Sequence, residues 1–118
     1  MIELLQKIVE STPGAKAAIL MGFDGISVAQ FVAPQDDELD VESMATELSF
    51  RFMELRTAAA SLEMGSLSDI AIQAEYGTVL VRVLSEEYFV AVLLERTGHF
   101  GKGRWVLRST ARALAAQL

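Results

Sequence analysis

The chain has 118 residues, 52% of them hydrophobic and 22% charged, no cysteine, and a formal net charge of −6. That length suits one domain, residues 1–118, able to bury a core unaided, and the lack of thiols excludes disulfide frameworks, thiolate catalysis and cysteine zinc sites. The charge argues against nucleic acid, the longest apolar runs fall far below the ~20 residues of a membrane span, and no basic stretch leads into a cleavable apolar segment, so a cytoplasmic protein is expected.

In chain order, Met1 to Ser11 carries Leu4, Leu5, Ile8 and Val9 at helical spacing, stopped by Thr12-Pro13-Gly14. Ala15 to Met21 is apolar on both faces, as a covered central strand should be. Gly22-Phe23-Asp24-Gly25 is a hairpin turn signal, and Ile26 to Val32 returns as a second strand. A polar loop from Ala33 to Leu39 leads into a long helix, about Asp40 to Met64, with Asp40 as N-cap and Gly65 at the exit. Leu67 to Glu75 alternates like a strand with one wetter face. Tyr76-Gly77 and Ser85-Glu86-Glu87 then punctuate two more strands, Thr78 to Leu84 and Tyr88 to Leu94. A glycine-containing loop from Arg96 precedes a last helix, from Lys102 or Gly103 to Leu118. The order α-β-β-α-β-β-β-α with hairpin-length links predicts an α+β fold, a five-stranded antiparallel sheet with helices on its faces.

A mean hydropathy of +0.34 is high for so small a chain, so some apolar area should lie outside the core and mark a partner surface. The middle helix shows where. At ~100° per residue, Val41, Met44, Ala45, Leu48, Phe52, Leu55, Ala59 and Leu62 form a stripe expected to sit on the sheet. Phe50, Met53, Thr57, Ala60 and Met64 form a second, ~150° further round by the same arithmetic. Leaving the large members in water forgoes ~1.5–3 kcal/mol each, so the same helix of a second copy is expected to cover them across a two-fold axis. The competing arrangement folds a terminal helix over the stripe within one chain. Glu47, Arg51 and Glu54 occupy the remaining sector, with Glu47 and Arg51 spaced for an i,i+4 pair.

Catalytic candidates fail on spacing. His99, the only histidine, has no nearby partner for a triad or a metal. Gly98-His99-Phe100-Gly101-Lys102-Gly103 has two residues where a phosphate loop needs four, and no Ser or Thr after the lysine. The acidic run Asp36, Asp37, Glu38, Asp40 and Glu42 lacks the glycine and the twelfth-position glutamate of a calcium loop. Arg104, Arg108 and Arg112 share one face of the last helix, either as a solvated face, the preferred interpretation, or as a dock for an acidic partner. No metal, cofactor or enzymatic activity is expected.

The stretch Pro13-Gly14-Ala15-Lys16-Ala17-Ala18-Ile19-Leu20-Met21-Gly22-Phe23-Asp24-Gly25-Ile26-Ser27-Val28-Ala29 resembles the opening of the Roadblock/LC7 family, and Gly101, Arg104, Leu107 and Arg108 resemble its ending. The element order agrees, and the resemblance spans essentially the whole chain. It implies a profilin-like fold that forms homodimers or heterodimers through the middle helix and the following strand. It also implies a platform for a small Ras-like GTPase, which members either stimulate, as MglB-like members do, or scaffold. Carried to this chain, the platform would lie at Glu47, Arg51, Glu54 and Ala58. Activation would act by favouring one conformation of the partner's switch loops; an arginine finger is the competing mechanism, with Arg51 and Arg56 as candidates. Two other functions compete: a small-ligand sensor, for which the strands offer mainly Gln73 and Arg82, the latter expected to face outward, and a structural light chain of a larger complex.

Overall fold

Period-two alternation gives each inner strand two apolar faces, and the fold sandwiches both between helices. The computed structural model describes residues 1–118. Its elements are α1 (Ile2–Ser11), β1 (Ala15–Gly22), β2 (Ser27–Val32), a 3-10 turn (Pro34–Asp36), α2 (Val41–Ser61), β3 (Asp69–Ala74), β4 (Gly77–Val83), β5 (Tyr88–Glu95) and α3 (Phe100–Ala115). One five-stranded sheet has the order β2-β1-β5-β4-β3 with every pairing antiparallel. This is the α+β architecture and element order predicted above.

β1 and β5 hold the centre, paired through Ile19↔Ala91 and Leu20↔Val90. Ala18 and Leu20 point to one face, where they pack with Leu5 and Ile8 of α1 and Val106, Leu107 and Leu114 of α3. Ala17, Ile19 and Met21 point to the other, where Val41, Ala45 and Phe52 of α2 cover them. Two layers of core therefore flank the sheet, with α1 and α3 together on one side and α2 alone on the other.

Element boundaries differ from expectation in several places: β3 starts at Asp69 rather than Leu67, the last helix stops at Ala115 rather than Leu118, and two further helix ends have a clear cause. The middle helix ends at Ser61, three residues short of Met64, because the chain reverses through left-handed positions at Glu63 (φ 58°) and Gly65 (φ 83°). The last helix begins earlier, at Phe100, because the His99 side chain caps it: Nδ1 accepts a hydrogen bond from the Lys102 backbone N–H at 3.0 Å. The exposed loop histidine thus has a structural task.

β3 departs from the expected half-wet strand. It pairs only with β4, at the sheet edge, and every residue of it except Ile70 is exposed. The reason is coverage, since α2 rests mainly on β1 and β2 and leaves the β3 side of its face open.

Gly14 joins the two halves of the sheet's centre. It has φ +83°, its carbonyl accepts from Glu95 N–H at 2.8 Å, and the neighbouring Pro13 carbonyl accepts from His99 N–H at 2.9 Å. A Cβ there would run into the Cα of Gly98, so the backbones approach too closely for any side chain. Gly65 has the same φ but nothing within 4 Å of a Cβ. Gly14→Ala is therefore expected to cost more than ~2 kcal/mol, against ~1 kcal/mol of backbone strain alone for Gly65→Ala. Urea unfolding of the two variants checks the difference.

Candidate functional site

The outward surface of α2 is the candidate site. Asp40 starts the helix as expected: Oδ1 accepts from the Ser43 backbone N–H at 3.1 Å and Oδ2 from the Ser43 hydroxyl at 2.7 Å. The hydroxyl and then the backbone N–H of Ser43 hold its carboxyl below the usual aspartate value of 3.8. A depressed native pKa stabilises the fold fully above the unfolded value, and the benefit is lost as pH falls below 3.8. Asp40→Ala should accordingly lower the melting temperature at neutral pH. The gap to the parent should narrow on acidification to about pH 2–3, read by thermal melts across pH.

Four buried side chains seat the helix: Val41, Ala45, Ser49 and Phe52. The ring of Phe52 meets Phe89 edge-on at 5.3 Å, and Phe89 packs on Phe23 at 5.1 Å, geometry that aromatic quadrupoles favour. Ser49 is fully buried, its hydroxyl donating to the Thr46 carbonyl at 2.7 Å. Beyond Phe52 no residue of the helix is buried.

This seat corrects the first stripe. Val41, Ala45 and Phe52 lie on the sheet, but Met44, Leu55 and Leu62 are exposed, Leu62 to 68%. Serine 49, invisible to an apolar pattern, turns the buried arc toward its own side of the helix. The helix consequently shows two apolar flanks. One is the second stripe, Phe50, Met53, Thr57, Ala60 and Met64, all exposed, with Phe50 at 62% and Met64 at 73%. Thr46, which shares this side, donates to the Gly25 carbonyl at 3.3 Å, and Met53 borders Gly22, Phe23 and Asp24. The other flank, Met44 with half-buried Leu48, borders Val79 and Leu93 on the open β4 side.

Between the flanks, pointing away from the sheet, stand Glu47, Arg51, Glu54 and Ala58, all exposed. Arg51 pairs with Glu47 at 3.3 Å, as their spacing predicts, and also donates to the Glu47 carbonyl at 2.8 Å. Glu54 keeps its charge unpaired. Arg56 is held elsewhere: its guanidinium lies 4.3 Å above the Phe23 ring and donates to the Glu86 carbonyl at 2.6 Å. Neither arginine projects freely as a finger in this arrangement.

No group of three or more His, Cys, Asp or Glu is placed to hold a metal ion, and no helix is long and apolar enough to cross a membrane. The widest hollow, about 740 Å³, is an open groove between the end of α2 and the β4–β5 turn, lined by Arg56, Ala60 and Glu86 among others. The apolar space beneath Met44 and Leu48 is only about 20 Å³, well short of a metabolite. Arg82, expected to face outward, instead lines a hollow beside α3 and pairs with Asp69 at 3.5 Å.

No protein-family model matches the sequence, and no curated protein matches it. Solved structures do. MglC from Myxococcus xanthus is 38% identical, with 98% of this chain and 97% of that one aligned at a TM-score of 0.72. The gliding protein MglB from Thermus thermophilus is 21% identical over 97% of this chain and 84% of that one, with a TM-score of 0.87. A Roadblock/LC7 domain from Streptomyces avermitilis is 16% identical over 99% and 96%, with a TM-score of 0.85. The latter two establish likeness of fold, and the first establishes kinship.

The seat and the flanks predict opposite responses. Phe52→Ala should cost ~3–5 kcal/mol by emptying the aromatic contact, whereas Phe50→Ala should change protomer stability by less than ~0.5 kcal/mol. Chemical denaturation in dilute solution measures both.

Proposed function

The chain belongs to the Roadblock/LC7 family, and on that premise we propose that it is a dimeric, non-catalytic interaction module that binds a small Ras-like GTPase and regulates or scaffolds it. The observation that carries this is the outward surface of α2, where apolar flanks left open by one protomer stand astride a polar crest. Monomers rarely leave such a surface in water.

The proposed self-contact joins Phe50, Met53, Thr57, Ala60 and Met64 of two copies, with β3 extending the contact. Thr57 and Ala60 are small enough for close helix approach, and the exposed edge of β3 supports strand involvement. The flank of Met44 and Leu55 is a second candidate for the same role, because Met44 lies on the β4 side of the helix, toward β3. The proposed GTPase platform is Glu47, Arg51, Glu54 and Ala58. With Arg51 tied to Glu47 and Arg56 to Phe23, the proposed mode of regulation is selective binding of one switch-loop conformation.

Light scattering tests the assembly. The parent should give twice 12.9 kDa, and Met53→Glu should return it to one protomer. Dissociation by Leu55→Glu instead would move the contact to the other flank, and a monomeric parent would end the dimer proposal. For the partner, small Ras-like GTPases of the same genome, loaded with GDP or a non-hydrolysable GTP analogue, are titrated against the protein. Glu54→Arg should weaken binding at least about tenfold, ~1.4 kcal/mol, with the mass unchanged. Binding of none of these GTPases would overturn the platform.

A further inference from the structure

All sixteen acidic residues lie before residue 100, while the segment 100–118 holds Lys102, Arg104, Arg108 and Arg112, four of the chain's ten basic residues. The acidic protein therefore carries one wholly basic helix, on the side of the sheet opposite α2. Helical arithmetic explains the placement. Gly103, Val106, Leu107, Thr110 and Leu114 are buried, which turns Arg108, Arg112 and Trp105 outward.

Trp105 is the chain's only tryptophan and is 59% exposed, an unusual position for so large an apolar ring. Lys102 Nζ lies 5.0 Å from its centroid, so the ring is flanked by cation rather than covered by core. On the same helix, Arg104 and Arg108 line a hollow of about 130 Å³ together with Arg82, Asp69, Ala71 and Leu80 among others. Three guanidinium groups there face one carboxylate. Arg82 and Arg104 both reach the same oxygen, Asp69 Oδ2, at 3.5 and 3.6 Å, and no carboxylate lies within ion-pair distance of Lys102, Arg108 or Arg112. The site has a positive surplus, an apolar floor and an aromatic anchor, the three parts of a recognition surface for an acidic motif.

We propose that the outer face of α3, from Trp105 to the hollow between Arg82, Arg104 and Arg108, docks an acidic, aromatic- or aliphatic-containing polypeptide segment of a second protein. Carboxylates pair with Arg108, Arg112 and the surplus guanidinium of the hollow, and one apolar side chain packs on Trp105. A short peptide is favoured over nucleic acid because the basic face ends with the helix. A long polyanion would run onto the acidic remainder of the surface within one or two screening lengths, ~8–10 Å each. A membrane is disfavoured because the apolar side of α3 is already spent in the core, which leaves Trp105 alone to insert. The surface is separate from α2, so the chain can hold this partner and the proposed GTPase at once.

The lone tryptophan reports on the site directly. The full-length protein is titrated with a fluorescein-labelled, glutamate-rich peptide of about ten residues containing one phenylalanine, a length that spans a helix of this size. Trp105 emission and peptide anisotropy are both followed. A saturable change in both is expected. Arg108→Glu with Arg112→Glu should weaken binding at least tenfold, with helical circular dichroism and the light-scattering mass unaltered, and Arg108→Gln with Arg112→Gln should give an intermediate loss. Glu54→Arg, on the opposite face, should leave peptide affinity unchanged, which separates this surface from the platform. Absence of saturation, equal affinity in the charge-reversed variant, or tighter binding to duplex DNA or phosphatidylserine vesicles than to the peptide would overturn the proposal.

Discussion

The width of the seat beneath α2 governs the rest of the molecule. Twenty-one residues of helix rest on the sheet through Val41, Ala45, Ser49 and Phe52, two of them too small to hold the helix far away. A narrow seat brings the helix close and leaves most of its circumference free. Phe52 against Phe89, backed by Phe23 and capped by Arg56, fixes where along the sheet that happens. After Phe52 no residue of the helix is buried, and Arg56, on the Phe23 ring and the Glu86 carbonyl, ties it to its own protomer from the surface. Its outward chemistry is therefore available to partners because so little of it is needed for folding.

Much of this was legible in the residues. The Asp24-Gly25 hairpin, the Asp40 cap, the Glu47–Arg51 pair and the element order all follow from local rules that tertiary structure had no reason to override. What could not be read was which apolar sector of α2 faces inward. Met44, Leu55 and Leu62 satisfy a helical period as well as Val41, Ala45 and Phe52 do, and period alone does not rank two adjacent sectors. The deciding residue is Ser49, whose hydroxyl is satisfied by its own helix and can therefore be buried cheaply. A polar letter in the sequence hid a core position. The exposure of β3 was hidden for a related reason: alternation shows that a strand has an apolar face, whereas coverage depends on how far a helix elsewhere in the chain extends.

The five strands are tied by an unbroken ladder from β2 to β3, whereas α2 buries only four side chains. Charge is distributed with the same division of labour. The α2 side carries the polar crest and its apolar borders, and α3, across the sheet, carries Lys102, Arg104, Arg108, Arg112 and the tryptophan.

β3 has a further cost attached to its place at the rim. Its Asp69–Ala74 stretch, DIAIQA, contains no proline and no lysine, the residues by which natural sheets discourage adhesion along an open border. Its outer amide and carbonyl row is a template for any extended chain that drifts past. The net charge of −6 opposes such pairing by keeping copies apart at a distance.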